Sequence, residues 1–164
     1  MDAKTLKNLK EAFAGESQAN RKYLAFAAKA EAEGHKNAAK MFRAAAEAET
    51  IHAHAHLKAL QGIGSTAENL KAGVQGETEE FEQMYPPMLA AAEAAGEKDA
   101  ARSFLYAMKA EKVHATLYAK LLSELGSGQE LSFHLCTVCG NVELTVPDKC
   151  FICGAGPRAF KVVE

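Results

Sequence analysis

The sequence predicts a mainly α protein: an antiparallel four-helix bundle followed by a small C-terminal metal-knuckle domain. Three observations predict it. Residues 1–126 are rich in Ala, Glu, Lys and Leu, all strong helix formers, with Gly only at intervals. Residues 127–164 lose the alanine and gain Gly, Pro, Cys and β-branched residues. The first region also repeats itself. Shifted by 62 positions, Gly34 meets Gly96, Lys36 meets Lys98, Phe42 meets Phe104, Glu49 meets Glu111 and His52 meets His114. Alanines could align by chance, but Gly, Phe, Glu and His in one register indicate a duplicated helix pair.

The elements follow from the breaks. A first helix is expected from about Ala3 to Glu33, ending at Gly34, and a second from about Asn37 to Gln61, ending at Gly62. Residues Ile63 to Gly76 contain further glycines and a Ser-Thr pair and read as a loose connector. A third helix is expected to start near Glu77 and to be bent or restarted by Pro86 and Pro87; a fourth runs from about Lys98 to Leu125. Short turns within each pair make antiparallel packing natural. Residues 127–133 read as a linker, opened by Gly126-Ser127-Gly128, and residues 134–164 as the small domain.

The bulk numbers exclude several classes. A formal net charge of −2 gives no electrostatic footprint for nucleic acid or an anionic membrane. No apolar run reaches the length of a membrane span, and the N-terminus lacks a signal-peptide core. The expectation is a cytoplasmic protein with no nucleic-acid or membrane partner. All 4 cysteines fall within residues 136–153, and in a reducing compartment such a cluster indicates a metal site.

Each half of the duplication carries a Glu followed by Glu-x-x-His: Glu16 with Glu49 and His52, then Glu77 with Glu111 and His114. Glu80 adds a further carboxylate beside Glu77. Residues three apart share a helix face, and that face is the apolar one. Phe42, Ala45, Glu49, His52 and His56 form one stripe; Phe104, Met108, Glu111, His114 and Tyr118 form another; Phe13, Glu16, Asn20 and Tyr23 a third. A single such Glu is usually solvated or paired with a lysine. Glutamates and histidines on every apolar stripe are different, because carboxylates buried without counterions cost several kcal/mol each. Two bound cations are the economical compensation. Carboxylates with two imidazoles suit iron or manganese. Glu49 and Glu111 occupy equivalent places and are the natural bridging ligands, Glu16 and Glu77 the terminal ones, with His52 and His114 supplying nitrogen. Tyr23 is a candidate hydrogen-bond donor to a ligand carboxylate, and Tyr85 a weaker one near Glu80. His54 lies off the stripe, and His56 reads as an interior histidine.

Cys136-Thr-Val-Cys139-Gly and Cys150-Phe-Ile-Cys153-Gly are two C-x-x-C-G knuckles. Together they make a closed tetrahedral site of four thiolates for iron or zinc. A domain of about 31 residues cannot bury a sufficient core, so the metal must supply much of its folding energy.

Two Glu-x-x-His motifs on helices followed by paired C-x-x-C-G knuckles resemble the rubrerythrin family over nearly the whole chain. The segments Ala12-Phe-Ala-Gly15-Glu16-Ser-Gln and Gly76-Glu77-Thr-Glu-Glu80, the latter followed by Met84-Tyr85-Pro86, are similar to the family's ligand segments. The resemblance implies a ferritin-like bundle with a rubredoxin-like C-terminal domain, and iron in both: a di-iron centre and a mononuclear iron on Cys136, Cys139, Cys150 and Cys153. It implies reduction of hydrogen peroxide to water in oxidative-stress defence, with electrons relayed through the four-cysteine iron. It makes His52 and Glu80 alternative ligands of one iron, and with Tyr23 the catalytic residues. An external donor, a rubredoxin or an NAD(P)H-dependent reductase, is implied. One departure is Phe151, where rubredoxin-like knuckles usually carry Pro. A ferroxidase or iron-storage protein shares the di-iron pattern, and a zinc-ribbon module shares the knuckles; each leaves the other feature unexplained. The half-site on each helix pair further predicts a homodimer or higher oligomer, in which exchange of pairs between chains is one route.

Overall fold

A computed structural model describes residues 1–163. Its elements are helices α1 (Ala3–Ala32), α2 (Lys36–Ala59) and α3 (Thr66–Glu79), a π-helical segment (Glu80–Met84), α4 (Tyr85–Ala94) and α5 (Lys98–Ser123), then strands β1 (Phe133–Cys136), β2 (Val142–Glu143) and β3 (Phe160–Val163). A short 3-10 turn, Pro157–Ala159, leads into β3. The mainly helical class with a small three-stranded C-terminal element is the one expected from the sequence. The chain divides into two compact units, Met1–Gly64 and Ser65–Glu164.

The first unit is the α1–α2 pair. Asp2 caps α1 by accepting from the Lys4 and Thr5 backbone N–H groups, both at 3.0 Å. Alanines let the two helices approach closely: Ala27, Ala30, Ala39, Ala46 and Ala53 are the buried apolar residues of the pair. Buried Asn20 cross-links it, donating Nδ2 to the Ala46 carbonyl at 2.7 Å and to Thr50 Oγ1 at 2.8 Å. The α1–α2 and α4–α5 turns close identically. His35 N–H bonds Ala30 O at 2.8 Å, and Glu97 N–H bonds Ala92 O at 2.9 Å, behind glycines of positive φ. The duplication is therefore structural as well as sequential.

The second unit corrects the expected helix boundaries. Most of the stretch read as a loose connector is helix, because Ser65 and Glu68 form a reciprocal capping box that starts α3 at Thr66. That cap offsets the helix cost of Gly73 and Gly76. The prolines do interrupt the path, in a specific way. The Tyr85 N–H reaches back five residues to the Glu80 carbonyl, and α4 then begins with Pro86 and Pro87 in its first turn. There a missing N–H costs nothing.

The C-terminal sheet has the order β2-β1-β3, all antiparallel. Register pairs Leu135 with Val142 and Cys136 with Phe160. Its core, Cys136, Cys150 and Ile152, is continuous with Ala110 of α5 and is flanked by Tyr106 and Phe160.

Candidate metal centres

Each unit presents one cluster of two carboxylates and an imidazole. Glu16, Glu49 and His52 converge in the first, and Glu77, Glu111 and His114 in the second, each with ligand atoms within 4.8 Å of one another. The geometries match. His52 Nδ1 lies 3.0 Å from Glu49 and 4.0 Å from Glu16; His114 Nδ1 lies 2.6 Å from Glu111 and 3.6 Å from Glu77. In both, the i,i+3 pair is the close contact and the glutamate from the neighbouring helix completes the trio.

Crowding perturbs these carboxyls in opposite directions. Glu77 is pushed up to about 7, first by burial, then by its hydrogen bond with Glu111 and that residue's charge. Glu111 is held low, chiefly by its hydrogen bond with His114. Glu16 is likewise raised by sharing a hydrogen bond with Glu49, and Glu49 lowered by the same bond. Within each pair one carboxyl is thus raised and the other lowered, the asymmetry expected where two carboxyls share a hydrogen bond.

Glu80 stands outside the second trio but within its field. Burial raises its pKa first, and the charge of Glu111 adds to this, opposed by His114. It is the first residue of the π-helical segment, where one wider turn re-aims side chains relative to an α-helix. Tyr85 follows that segment, its ring 6.2 Å from Phe104. Its phenol is held neutral by burial, then by Glu80, Glu111 and Glu77. Tyr23 packs by its ring, 6.1 Å from Phe42 and 6.4 Å from Phe26. Among the described residues no hydrogen bond joins Tyr23 to Glu16.

The four cysteines form one cluster, with Cys136 and Cys150 buried and all four free. Gly140 and Gly154 turn the two knuckles at φ 80° and 77°, a region costly for residues with a Cβ. Their N–H groups bond back to the carbonyls of Cys136 (2.9 Å) and Cys150 (2.8 Å). Cys136 Sγ lies 3.7 Å from Cys153 Sγ, and Cys139 Sγ lies 3.5 Å from Cys150 Sγ. A tetrahedron with metal–sulfur bonds of about 2.3 Å has edges of about 3.8 Å, so the thiolates fit a single ion. Cys139 stays protonated without a metal, mainly through burial. Burial pushes Cys150 up, but the backbone N–H groups of Cys153 and Ile152 together with hydrogen bonds from the Cys139 and Cys153 thiols outweigh it and bring the thiol to about 7.

One contact links the two kinds of site within the second unit. The ring atom Nε2 of His114 lies 2.9 Å from the Gly140 carbonyl, one residue after Cys139. A carbonyl accepts only, so Nε2 carries the proton and Nδ1 is free to face the carboxylates and a metal. His52 has no such anchor among the described residues, and its side chain is 55% exposed. A backbone carbonyl acting at 26 residues' separation leaves no mark in the sequence.

These sites and their order match known proteins. The family model described as rubrerythrin matches residues 7–122. The chain belongs to the rubrerythrin family. It is 33% identical to rubrerythrin-2 of Clostridium acetobutylicum, across 98% of this chain and 97% of that protein. It is 37% identical to a rubrerythrin of Porphyromonas gingivalis, across 96% and 88%. A solved nigerythrin in a fully reduced, all-ferrous state aligns at a TM-score of 0.60 and 33% identity, covering 97% of this chain and 86% of that one. Nigerythrin of Nitratidesulfovibrio vulgaris is 34% identical in sequence. For a rubrerythrin-family chain the paired carboxylate–histidine clusters and the four-cysteine cluster are the expected donor sets, and this chain has both.

Proposed function

We propose that this family member is a non-haem di-iron hydrogen peroxide reductase, with a four-cysteine iron feeding electrons to the di-iron centre. The observation that carries the reading is the pairing of the two donor sets, tied together by the His114–Gly140 hydrogen bond. Each helix pair brings two carboxylates and one imidazole together, Glu16, Glu49 and His52 on the first and Glu77, Glu111 and His114 on the second, and Glu80 stands near the latter. When bound, the two irons supply the two electrons that split peroxide to two waters, and the cysteine-bound iron carries electrons singly.

The chain's own groups account for the protons. Consuming peroxide takes two protons per turnover, and Tyr85 and Glu80 stand beside the second trio as candidate proton donors, the pKa of each raised first by burial and then by neighbouring carboxylate charge. The asymmetry of the imidazoles supports His52 and Glu80 as alternative ligands. His114 is locked by Gly140, His52 is unanchored, and Glu80 begins a π-helical turn. Storage alone gives no reason for a four-cysteine site, which disfavours the ferroxidase alternative.

The partners follow from the chemistry. Electrons must come from outside, from a rubredoxin or an NAD(P)H-dependent reductase. A homodimer or higher oligomer is expected, with exchange of helix pairs between chains as one route. No helix is long and apolar enough to cross a membrane. The four free thiols suit a reducing compartment such as the cytoplasm.

The native protein should be red and hold about three irons per chain, two on carboxylates and one on cysteines, consistent with these donor types. Stopped-flow mixing of the reduced protein with each oxidant tests the activity. Oxidation by hydrogen peroxide should be much the faster, and faster oxidation by dioxygen would establish the ferroxidase reading instead.

A further inference from the structure

Asn141 follows the first knuckle directly and is wholly buried, at 0% exposure. Burying a carboxamide is costly unless its groups are used. Its Nδ2 has two hydrogens, and both find acceptors. One faces Glu143 Oε1 at 2.8 Å, and the other faces Cys150 Sγ at 3.7 Å, within reach of a large sulfur acceptor. Its Oδ1 is buried without a partner.

That orientation is dictated by chemistry. A flipped amide would turn Oδ1 toward a carboxylate and a thiolate, both acceptors, leaving two repulsive contacts in place of two bonds. Glu143 is therefore the clamp that aims the amide. It is held in turn on β2 by pairing with His134 of β1. The backbone carbonyl of Asn141 accepts from Cys136 N–H at 2.8 Å, so the residue cannot swing away as a whole.

We propose that Asn141 is a positioning residue that tunes the four-cysteine site, its clamped side-chain amide donating to the Cys150 sulfur and favouring the reduced state of bound iron. The proposal rests on the reading above that this iron carries electrons. Each electron added to the site enlarges the negative charge on the sulfurs, and a hydrogen-bond donor aimed at one of them stabilises that charge more than the smaller charge of the oxidised form. The donor also lies beside the connection to the carboxylate cluster. Gly140, whose carbonyl holds His114, is the preceding residue.

Asn141→Leu keeps approximate volume and removes the donor. In the iron-loaded full chain, spectroelectrochemical titration of the red chromophore should show a lower midpoint potential. At a fixed poise the ferric-to-ferrous ratio should rise about tenfold, which is 59 mV for a one-electron couple. A purely structural Asn141 would change iron retention or melting and leave the potential unmoved, and an unmoved potential overturns the proposal. Should the variant fail to load iron, the wild-type chain loaded with cadmium-113 decides. One Asn141 side-chain amide hydrogen should show scalar coupling to the metal across the N–H···S bond, and absence of that coupling also overturns it. Iron content of the native cysteine site tests the electron-carrier reading separately. Zinc there would end that reading while leaving the cadmium result to judge the hydrogen bond.

Discussion

His114 is held at both ring nitrogens, by Glu111 on one side and the Gly140 carbonyl on the other. Glu49 and Glu111 are the central carboxylates of their trios, each bonded to both its histidine and its partner glutamate. Glu49→Ala or Glu111→Ala should each abolish binding of the iron pair, read as iron per chain. Glu80→Ala should retain the iron and slow turnover by about 10- to 100-fold, the usual cost of a residue supporting a metal site. Loss of iron in Glu80→Ala with retention in Glu111→Ala would reverse these roles. The same cluster predicts a pH dependence of the metal-free protein. Glu77 has an unfolded value of 4.5 and a folded value of about 7, so the folded state binds the proton more tightly. Its contribution is therefore full below pH 4.5 and lost as pH rises toward 7. His114, raised above 6.5, acts with the same sign and loses its contribution as pH rises through its folded value. Glu111, lowered from 4.5, contributes fully above that value and does not oppose the fall. Thermal melts of the metal-free protein from pH 5 to 8 should show falling stability, and iron loading should flatten the profile. A metal-free profile that rises with pH would contradict the arrangement.

At the scale of elements, the knuckle sheet and α5 share one core. Ala110, buried to 1% exposure, packs with Cys136 and Cys150 one residue before Glu111. The cysteine site thus bears on the same helix that carries two carboxylate-site ligands. Cys136→Ser should remove the red chromophore, since one ligand of four is lost. The carboxylate irons should remain, because none of their ligands belongs to the knuckles. A single prereduced turnover with peroxide should survive in that variant, while steady turnover should stop for want of a route to reload electrons. Sustained peroxidase activity would show that the donor reaches the carboxylate centre directly. The π-helical turn belongs to this scale too. It lets α3, which carries Glu77, pass through Glu80 into a helix opened by Pro86 and Pro87 without a break.

For the whole molecule, the consequential fact is that each helix pair carries its own trio of two carboxylates and an imidazole. Each pair also leaves large apolar side chains exposed, among them Phe26 and Ile51 on the first and Met88 on the second. Exposed apolar side chains of this kind are what an association of chains would cover. Light scattering at micromolar concentration should give at least a dimer mass. A monomeric mass with all iron sites full would rule out pair exchange and leave assembly within one chain.

The sequence by itself determined the duplicated helix pairs, the two carboxylate–histidine trios and the four-cysteine cluster. Each is a matter of local period and spacing, which helix geometry and C-x-x-C turns translate directly into position. It misjudged residues 66–76, because glycine content is visible in a string while the reciprocal bonds of the Ser65–Glu68 cap are weighed only once the turn is formed. Asn20 could be placed on the correct stripe, but not its bond to the Ala46 carbonyl. Only the tertiary structure decided the Gly140 anchor of His114, the splitting of carboxyl pKa values within each trio, and the aim of the Asn141 amide at Cys150. These depend on backbone carbonyls and on distances between segments far apart in the chain, and neither residue type nor spacing encodes them.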